Sequence, residues 1–421
     1  MRSPSTVSLC VALALLPGCY LAHERDDPGP APDPVPPSFC PTPAGGSGLE
    51  LALIHRVDGR RRLSIRAAGG ELRAVTEELP ETLGEWLVVA PGGRHANVGI
   101  SFEEAVLVEL EGGAVHPLAA MLPPSAREIC GEASALPGTA NGYTARFRPD
   151  GGAFLYGCFR YDGELRNAAG AWEIDLASLE VREVATDCAQ ADYPVNAPCD
   201  TQVTWSVCPG SDRIDAAIRS ELRPLSGAPR PLAPRSWMLS PSTYLALDEE
   251  DPSTLVAVDA AGRERIVLSS VDLMTPLRFA VIPRTGGSAV VFASTAGVGV
   301  ATVDGAFRPL PQPCLGESSP RFVGLSPDGA LMTVTCSESR RTFAIALDTG
   351  GTPVELSALA GLVGPVDSWS ADGRYLLVGT PFSRESAAIL VSRSDGEGIV
   401  IPRLDPALGE VLEVRLAYPA Q

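Results

Sequence analysis

The chain has 421 residues, 45% of them hydrophobic, which is ample for a large core, and a formal net charge of −18. So acidic a surface repels phosphate backbones and argues against nucleic-acid binding. All 33 basic residues are Arg, which excludes a phosphate-loop Lys, a Schiff-base Lys and a Ser-Lys dyad.

Residues 1–18 read as an export signal, with Arg2 as the positive start and Val7 to Leu16 as a short apolar stretch. The stretch is too short to span a bilayer comfortably. It ends in Leu16-Pro17-Gly18-Cys19, which resembles a bacterial lipobox, and this resemblance implies a diacylated, N-terminal Cys19. The competing reading is an ordinary secretory signal with an incidental Cys. Residues 19–48 carry Pro28, Pro30, Pro32, Pro34, Pro36 and Pro37, a composition that favours an extended, semi-rigid tether. No later apolar run has membrane-spanning length; the nearest, Ser288 to Val303, is broken by Thr295-Ala296-Gly297 and reads as two strands with a turn.

From residue 49 the chain reads as strands throughout. Leu49 to His55, Arg62 to Arg66 and Glu71 to Val75 have the pattern of the last three strands of a four-stranded unit whose first strand is missing. A turn phrase then recurs: Val89-Ala90-Pro91-Gly92-Gly93, Phe147-Arg148-Pro149-Asp150-Gly151, Leu325-Ser326-Pro327-Asp328-Gly329 and Trp369-Ser370-Ala371-Asp372-Gly373. Looser copies centre on Pro209, Pro241 and Pro283. Pro presets φ, Asp or Ser bonds the local backbone, and Gly takes the left-handed position, so each copy predicts a hairpin. The turn positions are separated by 58, 60, 32, 42, 44 and 44 residues, and a period of about 40–45 fits one four-stranded propeller blade. Leu122 to Asn141 and Thr186 to Thr201 are the loop-like insertions that fill the long gaps, and the short gap makes the unit after Pro209 the weakest. Leu412 to Tyr418 has the pattern of a first strand with no unit after it. Joined to the N-terminal strands it closes a ring of eight blades, or of seven if the weak region merges.

Ten Cys are present, and setting aside Cys10 and Cys19 leaves an even number in an exported chain, which argues for disulfides. Cys158 and Cys336 each lie nine residues after the Pro of a turn phrase, and each is preceded by a Cys ahead of the strand that leads into the turn. This shared register pairs Cys130 with Cys158 and Cys314 with Cys336. Cys40, Cys188, Cys199 and Cys208 allow three connectivities. A zinc site is disfavoured because no Cys-x-x-Cys occurs and the chain is exported.

Ser326-Pro327-Asp328-Gly329 and Ser370-Ala371-Asp372-Gly373-Arg374-Tyr375-Leu376-Leu377, each after an apolar residue, resemble the repeat of TolB-like and WD40-like (PD40) β-propellers. The likeness covers most of residues 49–421. It implies a periplasmic or surface propeller that serves protein association, and it carries over no catalytic or binding residue because the motif is a folding device.

Other chemistry is sparse. His55, His95 and His116 are the histidines outside the tether, and no Gly-x-Ser-x-Gly elbow accompanies them, so they are expected to be strand or turn-flanking surface residues. Asp248-Glu249-Glu250-Asp251 lacks the spacing of a calcium loop and reads as a solvated hairpin tip. Asp328 and Asp372 are assigned to backbone hydrogen bonding, Arg60-Arg61-Arg62 to a solvated strand edge, and Trp86, Trp172, Trp205, Trp237 and Trp369 to packing rather than a sugar platform. The expectation is a non-catalytic, lipid-anchored propeller of the cell envelope, at the outer membrane and facing the periplasm or surface, binding an envelope protein without metal or cofactor. The alternatives are a propeller that binds a glycan or small ligand, or a propeller hydrolase or lyase.

Overall fold

The computed structural model describes residues 49–67, 71–80, 86–99, 101–131, 139–148, 150–162, 165–185, 189–192, 201–206, 219–224, 230–232, 237–240, 243–248, 251, 254–259, 261–268, 278–282, 289–294, 297–302, 307–314, 317, 320–326, 329–336, 338–347, 351–356, 366–370, 372–379, 385–393 and 396–417. Short apolar runs bounded by Gly, Asp and Ser make nearly every element a strand. β1 (Glu50–Val57), β2 (Arg60–Ala67) and β3 (Leu72–Ala74) come first, then β4 (Leu87–Val89), β5 (His95–Val98), β6 (Val106–Glu109) and β7 (Val115–Pro117). Two helices follow, α1 (Leu118–Met121) and α2 (Pro124–Cys130), before β8 (Thr139–Phe147), β9 (Ala153–Asp162), β10 (Leu165–Asp175) and β11 (Val181–Ala185). Next are β12 (Ala189–Asp192), β13 (Thr201–Ser206), β14 (Arg219–Pro224) and β15 (Arg230–Leu232), then β16 (Trp237–Ser240), β17 (Thr243–Leu247), β18 (Leu255–Val258) and β19 (Glu264–Leu268). β20 (Arg278–Ile282), β21 (Ala289–Ser294), β22 (Gly297–Thr302) and β23 (Phe307–Pro309) precede β24 (Pro320–Leu325), β25 (Leu331–Cys336), β26 (Thr342–Ala346) and β27 (Val354–Glu355). The chain ends with β28 (Val366–Trp369), β29 (Tyr375–Gly379), β30 (Ser386–Ser392), β31 (Gly398–Pro402), β32 (Leu404–Asp405) and β33 (Gly409–Leu416).

Seven sheets are meanders of four consecutive antiparallel strands, from β4–β7 through β28–β31. The eighth runs β3-β2-β1-β33-β32 and contains both ends of the described chain, with Leu53 opposite Val414 and Ile54 opposite Glu413. Repeated four-stranded antiparallel units of this kind are the organisation of a β-propeller. Ser288 to Val303 is two strands, β21 and β22, as its sequence predicts.

Two expectations need correction. Pro209 lies between β13 and β14, the second and third strands of its sheet, whereas the other turn phrases lie between first and second strands. The first connection of that sheet falls within 193–200, so the 32-residue gap reflects a chance Pro-Gly rather than a shortened unit. Neither insertion is loop alone: Leu122 to Asn141 contains α2, begun by Pro124 in the first turn and ended before Gly131, and Thr186 to Thr201 contains β12, the first strand of its sheet.

Core packing explains why the strands are apolar on both sides. Ala52 and Ile54 of β1 pack with Leu87, Val98, Val106 and Val108 of the β4–β7 sheet, while Leu51 and Leu53 pack with Leu377, Ala388 and Leu390 of the β28–β31 sheet. Leu107, between Val106 and Val108, turns the other way, onto Phe154, Tyr156 and Trp172. β1 and β6 are therefore each shared between two neighbouring sheets, which is why both faces of these strands are apolar. Each fully buried Leu contributes about 2 kcal/mol relative to exposure.

Candidate functional site

The turn phrases show what their polar residues do. Ala90, Arg148, Ser326 and Ser370 each accept at their carbonyl from the N–H three residues on, Gly93, Gly151, Gly329 and Gly373, over 2.8–2.9 Å. All four glycines have φ between 62° and 70°, the left-handed region that Gly enters without a Cβ penalty. Ser326 and Ser370 also accept at their hydroxyls from the N–H of Leu331 and Tyr375, at 2.9 and 3.0 Å. Asp150 Oδ1 accepts from Gly152 N–H at 2.8 Å, and Asp372 Oδ1 from the Ser370 hydroxyl at 2.6 Å and Arg374 N–H at 3.0 Å. Burial raises the Asp372 carboxyl, but the Ser370 hydroxyl and the Arg374 N–H outweigh it and leave it below the ordinary value. Asp372 thus has the backbone-bonding role expected of it, while Pro327 and Asp328 lie outside the described residues.

The chain-end sheet holds the first histidine. His55 is only 3% exposed, which corrects the expectation of a surface residue: β1 is flanked by β2 and β33 and covered by its neighbouring sheets. Its Nδ1 lies 2.8 Å from the Leu408 carbonyl and its Nε2 2.9 Å from the Ser64 hydroxyl. A carbonyl only accepts, so Nδ1 carries the proton and Ser64 donates to Nε2. Burial pushes the ring's pKa down, against a rise from the Leu408 carbonyl. Around it Arg56 pairs with Glu410 at 2.8 Å and Arg66 with Asp405 at 3.0 Å. Burial raises the Asp405 carboxyl, but the Ala407 N–H, Arg66 and the Leu408 N–H together hold it low.

A second group joins His95, Glu109 and His116. Cross-strand pairing sets His95 opposite Glu109, and His116 opposite Leu107, on one face of the β4–β7 sheet. His116 Nε2 lies 3.1 Å from Glu109 Oε1, while His95 Nδ1 is buried without a partner. Burial lowers the His95 pKa, against a rise from Glu109. A carboxylate therefore stands beside these histidines, because β5, β6 and β7 lie side by side and bring together residues from three successive strands. Among the described residues, no group of three His, Cys, Asp or Glu is arranged to hold a metal ion.

Sequence reasoning also missed a period in the outermost strands. Arg73, His116, Arg182, Arg265, Arg308, Val354 and Ile399 each stand two residues before an apolar residue, respectively Val75, Leu118, Val184, Val267, Leu310, Leu356 and Ile401. The last six of these are buried. Arg73 Nη1 donates to the Leu110 carbonyl of the next sheet at 2.7 Å, and Arg308 Nη2 to the Leu347 carbonyl of its next sheet. Both carbonyls directly follow the third strand of their sheets. Basic residues here fasten neighbouring units, and a search for Arg two before Leu or Val at the blade period would have found them.

Asp248 and Asp251 form a hairpin connection, with Asp251 N–H donating to Asp248 Oδ1 at 3.2 Å and Thr254 Oγ1 to Asp251 Oδ2 at 2.8 Å. Arg60 is exposed, but Arg61 accepts a backbone bond from Leu79 N–H at 2.8 Å, so that edge is covered there. Trp172 and Trp369 are buried in the core and Trp86 is half-buried, whereas the side chains of Trp205 and Trp237 lie outside the described residues. Cys130 and Cys158 have Cα atoms 5.6 Å apart, and Cys314 and Cys336 5.3 Å apart. Cys19, Cys40, Cys188, Cys199 and Cys208 lie outside the described residues, as do 1–48, the proposed signal and tether. No helix among the described residues is long and apolar enough to cross a membrane.

No family model and no curated protein matches the sequence. Solved structures do. A dihydro-heme d1 dehydrogenase, NirN, in complex with DHE is 14% identical over 91% of this chain and 78% of its own, with a TM-score of 0.54. TolB from Acinetobacter baumannii is 13% identical over 88% of this chain and 66% of its own, at 0.38. An oligogalacturonate lyase from Vibrio parahaemolyticus is 12% identical over 88% and 90%, at 0.42. The first likeness shows a shared fold; the other two, with TM-scores below 0.5, carry no argument about this chain.

Proposed function

We propose that the chain is a non-catalytic, lipid-anchored β-propeller of the cell envelope, at the outer membrane, that binds another envelope protein. In this reading the eight sheets are eight blades, and the β1–β33 pairing closes the ring. Lipid on Cys19 and the Pro-rich tether place the propeller off the membrane surface, and the two Cys pairs are disulfides. The observation that carries the non-catalytic reading is that most of the groups that could do chemistry are committed to structure, the His95–Glu109–His116 group excepted. His55 bonds Leu408 and Ser64, Asp150 and Asp372 hold turns, and Asp405 pairs with Arg66. What remains for recognition is a set of turns presented on rigid sheets, the arrangement propellers use to engage partners.

The test is photo-crosslinking in intact cells from probes placed at the turns near Gly92 and Asp150, with probes on the outer strand at Ile399 as control. Discrete adducts from turn positions, unchanged in a His95→Ala/His116→Ala/Glu109→Gln variant, support the proposal. Turnover of a glycan or peptide by the purified protein, lost in that same variant, overturns it in favour of an enzyme.

A further inference from the structure

We propose that the junction of the two chain ends is an acid-sensitive latch, in which protonation of His55 loosens the pairing of β1 with β33. The argument begins with the hydrogen bonds. The Leu408 carbonyl obliges Nδ1 to carry the ring's proton, and the Ser64 hydroxyl, itself 1% exposed, donates to Nε2. A second proton on Nε2 replaces that acceptor with a donor, so Ser64 must turn its own proton elsewhere in a buried space. The new cation also lacks a carboxylate in hydrogen-bond contact.

The charges that act on the ring come from the two segments that flank it. From β2 come Ser64 and Arg62, and Arg62 disfavours a cation; from the C-terminal segment come the Leu408 carbonyl and Asp405, which favour one. Asp405 is already engaged by Arg66 and by the N–H groups of Ala407 and Leu408. Glu410 is engaged by Arg56. Toward the neighbouring sheet, Leu408 and Val411 pack in a cluster with Leu377, Ala388 and Leu390, which supply no charge.

The direction follows from linkage. Burial lowers the folded-state pKa of the ring below its ordinary value of 6.5, so the unfolded or frayed chain binds the extra proton more readily. Stability from His55 is complete above about pH 6.5 and is lost as pH falls from there through the folded pKa. The loss is local because His55 bridges β1 to the segment that leads into β33. Asp405 acts in the same sense, but only near and below the ordinary carboxylate value, so a transition starting near pH 6.5 belongs to the histidine.

Hydrogen exchange of the full chain, corrected for intrinsic rates, tests this at pH 7.5 and 5.0. Exchange in peptides covering 50–57 and 409–416 should rise on the order of tenfold at the lower pH, with β25 unchanged as reference. His55→Gln should flatten the response. If His55→Gln does not fold, Ser64→Ala supplies the second arm: it removes the donor that holds the neutral ring, so the folded pKa moves back toward its ordinary value and the rise in exchange between pH 7.5 and 5.0 should shrink. Equal exchange at both pH values in the wild type, a response retained in His55→Gln, or a rise undiminished in Ser64→Ala would each overturn the latch.

Discussion

His55 and Leu408 stand 353 positions apart in the chain, yet His55 Nδ1 lies 2.8 Å from the Leu408 carbonyl oxygen. The bond exists only when both chain ends occupy one sheet, so it reports on that sheet as a whole. Arg56–Glu410 and Arg66–Asp405 cross the same junction. Arg56 and Glu410 are both more than a third exposed, so their pairing adds little by itself. The buried histidine is the more demanding contact, because losing one partner leaves the other unsatisfied.

Gly409 begins β33 with φ of 73°, and a Cβ built there would lie 2.3 Å from the Arg56 carbonyl oxygen. Gly262 has a similar φ of 77° but nothing within 4 Å. Gly409→Ala should therefore cost about 2–4 kcal/mol and Gly262→Ala about 1 kcal/mol. Denaturant unfolding of the two variants decides it: equal losses would mean that the junction yields freely.

Asn97 is fully buried in β5, and its Oδ1 has no partner although Nδ2 donates to the Val106 carbonyl at 3.2 Å. Asn97→Val removes both groups and suits a buried strand, so stability should hold or rise by up to about 1 kcal/mol. A loss above about 2 kcal/mol would show that the amide oxygen is satisfied in solution.

Cys130–Cys158 and Cys314–Cys336 should be disulfides, each tying the segment ahead of a sheet's first strand to its second strand, β9 or β25. Non-reducing peptide mapping should recover these two links. Replacing either pair by Ala should cost roughly 2–4 kcal/mol. Recovery of Cys158 or Cys336 on a different Cys would refute the pairing.

Cys19 should be the acylated N-terminus of the mature protein. Intact-mass measurement should find the chain beginning there with lipid attached, and Cys19→Ala should release most of it from membranes. A mature chain that begins elsewhere would remove the anchor from the proposal.

Much of the architecture is local chemistry and is legible in one dimension. Pro, Asp and Gly at Pro91-Gly92-Gly93 or Ser370-Ala371-Asp372-Gly373 dictate a hairpin whatever surrounds it, because φ preferences and short-range hydrogen bonds act within five residues. Leu412 to Tyr418 could be read as an orphan first strand for the same reason. Pro209 misled because the same two residues make a turn between any two strands, and only pairing shows which. The end signals of α2, Pro124 and Gly131, were present but stood within an insertion taken for loop.

Strand content, the hairpins and the matched register of Cys158 and Cys336 each depend on neighbours along the chain, so one dimension is enough to read them. Tertiary structure alone decided that His55 is buried between Ser64 and Leu408, that Glu109 faces His95 and His116, and that Arg73 and Arg308 fasten one sheet to the next. Those relationships depend on which strands become neighbours. Strand pairing brings side chains hundreds of positions apart within a few ångströms, and burial then sets the protonation and partners of groups whose local sequence is silent about both.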